Sequence, residues 1–374
     1  MSENLIFPLS ALVFFSAISS GLLAWVLIRV IIRSQISNIF FDNPNKPNAM
    51  HLGKIPRLGG VPILVAASCI STAMLMLSNA QFQISWLAIP LLLLVSISLI
   101  DDRLSVNAWI RLAIHLLAGA IAIFFIFYRS SNDSALSTAH ELPIWLLFVA
   151  AFVSIVVVWC TNLYNFMDGA NGLAGFMGLI GFGTYAIAAT MGASILGSFL
   201  SIYLSILSGA IAGACGGFLT LNFPRPRVFM GDAGSVPLGF MMAVFGLIGV
   251  INQTWPWWFP LLVFSPFIVD ATVTLARRIV KRERIWEGHR QHYYHRLILI
   301  CGWSHTKVAL VYAALMLSVS ATGLFLLPTD DLFSVAKTHQ LSISTPSVLW
   351  GWVVIYALLL GYLEWRFLIQ KQKK

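Results

Sequence analysis

Apolar residues run in blocks of nearly constant length along the whole chain, separated by short polar stretches. Each block is about 20 residues long, enough to cross a hydrocarbon core roughly 30 Å thick as an α-helix. The pattern predicts eleven helical spans, at roughly 6–30, 60–79, 84–100, 108–127, 143–160, 173–190, 197–220, 236–252, 258–276, 305–327 and 346–367. The runs are continuous rather than alternating, which excludes a transmembrane β-barrel. Helices follow because backbone polar groups in lipid must be satisfied within their own segment. The fold class is therefore all-α and polytopic, with residues 1–374 forming a single integral membrane domain. The first block has no basic leader and no small-residue cleavage site, so it reads as a retained span rather than a signal peptide.

Charge adds an orientation. Only 10% of the residues are charged and 59% are hydrophobic, against about 25% charged in ordinary soluble domains. An odd number of spans places the termini on opposite sides. One face then receives the connections 31–59, 101–107, 161–172, 221–235 and 277–304 together with the C-terminal tail. All but Arg129 and Lys337 of the 23 lysines and arginines fall in those connections or their flanking turns. The positive-inside rule makes that face cytoplasmic and puts the N-terminus outside. The net charge of +9 is accounted for by orientation, so no nucleic acid partner is needed. The four cysteines, Cys69, Cys160, Cys215 and Cys301, are far apart and form no CxxC pair, which suggests neither a disulfide framework nor a zinc site. Gly209, Gly213 and Gly217 recur every four residues, a spacing that lets membrane helices approach closely.

The same face collects the unusual polar residues. Asp101 and Asp102 end the third span, where adjacent carboxylates must be solvated, paired or metal-bound; Arg111 follows about a turn into the next helix. Asn162, Asn165, Asp168 and Asn171 stand in NLYNFMDGANG at 162–172, with amide and carboxylate oxygens for a metal or a base and glycines that admit a ligand to the backbone. In NFPRPRVFMGDAGS at 222–235, Asn222 opens the segment and Asp232 stands between glycines at a helix start. Exposed amides there favour phosphate, although a carboxylate there also caps a helix. Arg225 and Arg227 are either topology markers or phosphate contacts. The longest connection carries a basic run from Arg277 to Arg284, read as an anionic-lipid contact. It continues to His289, Arg290, His292 and His295, and the three histidines would share a face if that segment were helical. Zinc is open to them in principle, but the mixture with arginine suits a pyrophosphate better. Asp270, inside the ninth span, is either functional or a hydrogen-bonding group between helices. His115 and His140 are left as structural.

The order of these pieces resembles the polyprenyl-phosphate N-acetylhexosamine-1-phosphate transferases, the bacterial glycosyltransferase-4-type membrane enzymes. The matching segments are PRLGG at 56–60, DDR at 101–103, NLYNFMDGANG at 162–172, FMGDAGS at 229–235 and the histidine loop at 289–295. The resemblance implies transfer of a sugar 1-phosphate from a UDP-N-acetylhexosamine to undecaprenyl phosphate with release of UMP, in the bacterial inner membrane at a cytoplasmic site. It implies Mg2+, with Mn2+ as a substitute ion, held by Asn165 and Asp232. Asp101 and Asp102 would lie near the lipid phosphate with Arg111. Asp168 and Asn171 would help hold the nucleotide, and His289, Arg290, His292 and His295 would meet the pyrophosphate or sugar. Lys54, Arg57, Asn162 and Asn222, inside or beside the matched segments, join the substrate-binding set. Dimerisation fits the family, with no interface readable in the sequence. Arg103-Leu104-Ser105 lacks a third charged residue that some branches carry, and Asn171 replaces an aspartate common elsewhere. HRQHYYH without consecutive histidines, with GWSH at 302–305, sits closer to the branches that start O-antigen or related surface polysaccharides than to the peptidoglycan-precursor branch. N-acetylglucosamine, N-acetylfucosamine and N-acetylquinovosamine all remain open as donor sugars.

Three rival classes fit less well; one, a catalytically dead scaffold, would tolerate motif decay, yet the key acids and amides are present. An aromatic prenyltransferase should show two aspartate-rich motifs, and one acidic pair is present. A secondary transporter should hold its polar residues in mid-span, whereas most here sit at span ends.

Overall fold

A computed structural model describes residues 8–34, 41–42, 55–77, 85–132, 144–196, 199–284, 289–327 and 344–372. Thirteen helices account for nearly all of it, and every predicted span meets at least one. They are α1 (Leu9–Arg33), α2 (Gly60–Leu77), α3 (Ala88–Leu104), α4 (Ala108–Asn132), α5 (Ile144–Phe166), α6 (Leu173–Leu196), α7 (Phe199–Asn222), α8 (Asp232–Ile251), α9 (Trp258–Val263), α10 (Ser265–Val280), α11 (Tyr293–Leu299), α12 (His305–Leu326) and α13 (Thr345–Gln372). Among the described residues, nine helices are long and apolar enough to cross a membrane. The other two predicted spans take different forms. The third is α3, which is 17 residues long and runs on through Asp101 and Asp102 to Leu104. The ninth is broken into α9 and α10 at Phe264. Pro266 explains the break, because its ring lacks an N–H and would collide with the carbonyl four residues back. The Ser265 hydroxyl, 2.7 Å from the Leu262 carbonyl, takes up one orphaned acceptor there.

The centre of the bundle is α6, α7 and α8, whose span windows are 72%, 78% and 78% buried, whereas α13 packs at the edge, with Tyr356 and Phe367 turned inward. The glycine row does what its spacing predicts. A Cβ on Gly213 would lie 1.8 Å from the Ala17 carbonyl oxygen, and one on Gly217 would lie 2.1 Å from that of Gly21. Helices α1 and α7 therefore meet backbone to backbone, and van der Waals contact replaces the hydrophobic drive that lipid cannot supply.

One short element was not expected. Phe41–Asp42 and Ile55–Pro56 pair as a two-residue antiparallel ladder within the first polar connection.

Candidate active site

Two of the sequence motifs are joined through their backbones. The Gly59 and Gly60 N–H groups donate to the carbonyls of Phe229 and Met230, both at 2.9 Å, and the Phe229 N–H donates to Pro56 at 2.8 Å. PRLGG thus lies edge to edge with FMGDAG. Only glycine allows it. Gly231 has φ +74°, and a Cβ there would lie 2.2 Å from the Arg57 carbonyl oxygen. This contact brings Arg57 to the start of α8, where Asp232 is the first helical residue, next to the partial positive charge of the helix end.

NLYNFMDGANG is fastened to the same place. Helix α5 continues through Phe166, so Asn162 and Asn165 occupy its last turns rather than a loop, three apart and on one face. Asn165 Oδ1 accepts from the Ser235 hydroxyl at 2.7 Å, and Asp168 Oδ2 accepts from the Gly231 N–H at 3.1 Å. Asn165, Asp168 and Asp232 therefore converge on the first turn of α8. Asn171 reaches the Pro224 carbonyl at 3.4 Å. Asn222 does a different job from the one its motif suggests. It is buried, accepts from the Gly172 N–H at 2.6 Å and donates to the Val228 carbonyl at 2.8 Å. Both ends of its amide brace two loops. The Asn162 amide donates to the Val158 carbonyl of its own helix at 2.8 Å.

The acidic pair stands on the last turn of α3, and both aspartates are half-buried. Asp101 Oδ2 lies 2.6 Å from Arg111 Nη1, and Oδ1 accepts from the Val106 N–H at 2.7 Å. The chain can turn this sharply because Ser105 adopts the left-handed conformation, with φ 52°. Asp101 accordingly sets the turn between α3 and α4 and the direction of Arg111. His115, left as structural from the sequence, is buried one turn beyond Arg111 on α4.

The histidine loop closes the remaining side. The shared helical face expected for it is not the mechanism of its clustering, since α11 begins only at Tyr293 and His292 is its N-cap. The rings nevertheless gather, His289 on His292 at 4.8 Å and His292 by His295 at 6.0 Å between centroids. The Tyr294 hydroxyl donates to the Phe166 carbonyl at 2.9 Å, and His295 Nε2 would lie 3.2 Å from a Cβ on Gly169, so the loop packs on NLYNFMDGANG. Burial, and then the neighbouring His292, hold His295 down to about 3, and the same two causes with Arg278 hold His289 at about 4. Both are neutral at pH 7. Arg290 is half-buried beside them. The basic run is partly internal: Arg277 pairs with Glu364 at 2.7 Å, and buried Arg278 pairs with Glu283 at 3.3 Å. Arg225 and Arg227 are exposed. Lys54 lies outside the described residues.

The residues suit a hard cation held with substrate. Among the described residues, no three His, Cys, Asp or Glu side chains are grouped to hold an ion by themselves. The convergent donors are the carboxylates of Asp168 and Asp232 and the amide oxygen of Asn165. Mg2+ typically takes one or two carboxylates and completes its shell with phosphate oxygens and water, which fits this set better than a closed zinc cage would.

The fold and the site define a polytopic membrane protein with a polar, oxygen-rich centre gathered at one end of its bundle. The chain belongs to glycosyl transferase family 4, whose model matches residues 61–250. It is 26% identical over 278 residues to the probable undecaprenyl-phosphate N-acetylglucosaminyl 1-phosphate transferase of Bacillus subtilis, covering 72% of each chain. It is 30% identical over 294 residues to the phospho-N-acetylmuramoyl-pentapeptide-transferase of Enterococcus faecalis, covering 73% of this chain and 84% of that one. It is 26% identical over 312 residues to the decaprenyl-phosphate N-acetylglucosaminephosphotransferase of Mycobacterium tuberculosis, covering 75% of each.

Proposed function

We propose that this chain transfers an N-acetylhexosamine 1-phosphate from a UDP-sugar to undecaprenyl phosphate, releasing UMP. The lipid-linked product would initiate O-antigen or a related surface polysaccharide. The observation that carries the reading is the convergence of Asn165, Asp168 and Asp232 on the start of α8, flanked by Asp101–Arg111 and the histidine loop. This puts oxygen donors for a cation between two groups suited to phosphate. Polar groups gathered at one end of the bundle also speak for an enzyme at the membrane surface over a transporter with a mid-span site. The basic residues flanking this end favour its facing the cytoplasm.

In this reading Arg111, held by Asp101, takes the phosphate of the carrier lipid. That phosphate has a second pKa of about 6, so it arrives at pH 7 largely dianionic, and Asp101 and Asp102 chiefly position it. Asn165 and Asp232 would hold Mg2+, which supplies charge neutralisation at the donor pyrophosphate. Asp168 and Asn171 orient the nucleotide, and neutral His289 and His295 donate hydrogen bonds to pyrophosphate or sugar. The lipid phosphate oxygen bonds to the phosphorus that bears the sugar, the bond from that phosphorus to the bridging oxygen breaks, and UMP leaves with that oxygen. Alignment and neutralisation of two anions carry most of the rate. HRQHYYH and GWSH favour a surface-polysaccharide donor over muramoyl-pentapeptide. The test is UMP release by purified protein with undecaprenyl phosphate, Mg2+ and a panel of UDP-N-acetylhexosamines. Lipid-dependent release with one donor supports the reading and names the sugar; no release with any donor, from folded protein, contradicts it.

A further inference from the structure

Asp270 belongs to none of the sequence motifs, yet it lies directly beneath one of them. It is 2% exposed on α10, and both of its oxygens are committed. Oδ1 accepts from the Tyr293 N–H at 2.8 Å and lies 3.4 Å from Nδ1 of His292. Oδ2 accepts from the Tyr294 N–H at 3.1 Å and from the Tyr312 hydroxyl. A buried carboxylate is costly unless donors or an opposite charge compensate, and here two backbone amides, the Tyr312 phenol and, at 3.3 Å, the Thr274 hydroxyl donate to it, with the His292 imidazole alongside. Tyr293 and Tyr294 are the first two residues of α11, whose N–H groups have no partner within their own helix. Asp270 thereby fixes where α11 begins and how the loop before it approaches the site.

The amide contacts alone would serve a purely structural anchor. The imidazole is the contact such a role leaves unexplained. His292 is 3% exposed and packed by His289 and, at 5.7 Å between centroids, by Phe166 of α5. Nδ1 lies on the Asp270 side of the ring, 3.4 Å from Oδ1, and Nε2 is the ring's other polar atom. The ring sits where the histidine loop packs on NLYNFMDGANG, beside the nucleotide end of the proposed site.

We propose that Asp270 is a positioning residue for the transfer: it holds His292 with Nδ1–H toward the carboxylate, so that Nε2 faces the donor pyrophosphate. The inference rests on the transferase reading above. A carboxylate that orients a working histidine fixes both its tautomer and its ring plane. Asp270 does not touch substrate; its effect on rate passes through His292.

The test is a double-mutant cycle on UMP release in the full-length protein. Asp270→Asn should lower kcat/KM about 10- to 100-fold, the range found when the outer partner of a ligating histidine is lost. His292→Gln should lower it at least as much, and the double variant should fall within about twofold of His292→Gln alone, because coupled residues are not additive. Losses that multiply would overturn the proposal. Tyr312→Phe, which removes a partner of Oδ2 only and leaves the carboxylate facing His292, should lower kcat/KM less than Asp270→Asn does. His292→Asn retains a donor near Nδ1 but has no Nε2. It should keep the wild-type melting temperature and lose turnover; full turnover would overturn the proposal even if Asp270→Asn did not fold. Should the wild type release no UMP, the transferase reading fails separately. The contact is then read from carbethoxylation of His292, followed by peptide mass spectrometry: a faster rate in Asp270→Asn supports it and an unchanged rate contradicts it.

Discussion

Asp168 accepts a hydrogen bond from the backbone N–H of Gly231, 63 residues further along the chain, at 3.1 Å. That contact and the neighbouring one from Ser235 to Asn165 bind the end of α5 to the start of α8. The donors proposed for the cation are therefore set by the packing of two helices, not by a flexible loop. The proposed chemistry then depends on how closely the backbones around Gly231 can approach.

Gly231→Ala should be severe. It would place a Cβ against the Arg57 carbonyl oxygen at a backbone conformation, φ +74° and ψ 165°, that is nearly confined to glycine. The strain costs on the order of 1–3 kcal/mol before any displacement of Arg57 is counted. The melting temperature should fall and UMP release should be largely lost; a variant as active as wild type would show that the PRLGG contact is dispensable.

Ser235→Ala removes the hydroxyl that donates to Asn165 at 2.7 Å and also lies 3.2 Å from the Gly231 carbonyl. One neutral hydrogen bond contributes about 1 kcal/mol, equivalent to about a fivefold change in an equilibrium constant. The Mg2+ concentration for half-maximal UMP release should rise by about that factor, with the melting temperature little changed. An unchanged Mg2+ dependence would remove Asn165 from the ligand set.

Arg111→Ala leaves Asp101 without its guanidinium partner and removes the cation proposed for the carrier phosphate. Hydrogen bonds to charged groups contribute about 1.5–3 kcal/mol, so KM for undecaprenyl phosphate should rise roughly 10- to 100-fold. KM for the UDP-sugar should move far less. Equal effects on both substrates would contradict the assignment.

Much of this was legible in the sequence, and the parts that were not have physical reasons. Continuous apolar blocks declare spans whatever their packing, and the Gly209–Gly213–Gly217 row declared a close helix approach, though not that its partner is α1. The break at Phe264 was not legible because the block stays strongly apolar across it and Pro260 and Pro266 are tolerated inside membrane helices. The ends of α5 and α7 were drawn too early, since Asn165 and Asn222 are poor interior helix residues but sit well in a last turn, where they bond to neighbouring segments. Asp270 was noticed but could not be assigned. A buried carboxylate looks the same in sequence whether it serves a substrate or, as here, the amides of another helix. The zipper of Gly59 and Gly60 to Phe229 and Met230 is a backbone relationship, which side-chain chemistry does not advertise.

Acid should destabilise the fold in a definite window. Burial holds His289 at about 4 and His295 at about 3, below the ordinary histidine value of about 6.5. As pH falls below about 6.5 the unfolded chain takes up protons that the folded chain refuses, so stability drops with falling pH. The contribution of these histidines is fully present above about 6.5 and is lost as pH falls through about 4 and then about 3. Thermal melts between pH 7.5 and 4.5 should show the decline, and His295→Gln should show a shallower one; a variant with the wild-type slope would mean that His295 titrates normally.

The most direct measurement follows the β-phosphorus of a UDP-N-acetylhexosamine, labelled there with 32P, in a reaction with undecaprenyl phosphate, Mg2+ and purified protein. Sugar-1-phosphate transfer predicts that the label enters the lipid fraction while unlabelled UMP appears in equal amount. Label left in soluble UDP while the sugar alone reaches the lipid, or no labelled lipid from folded protein with any donor, would contradict the account.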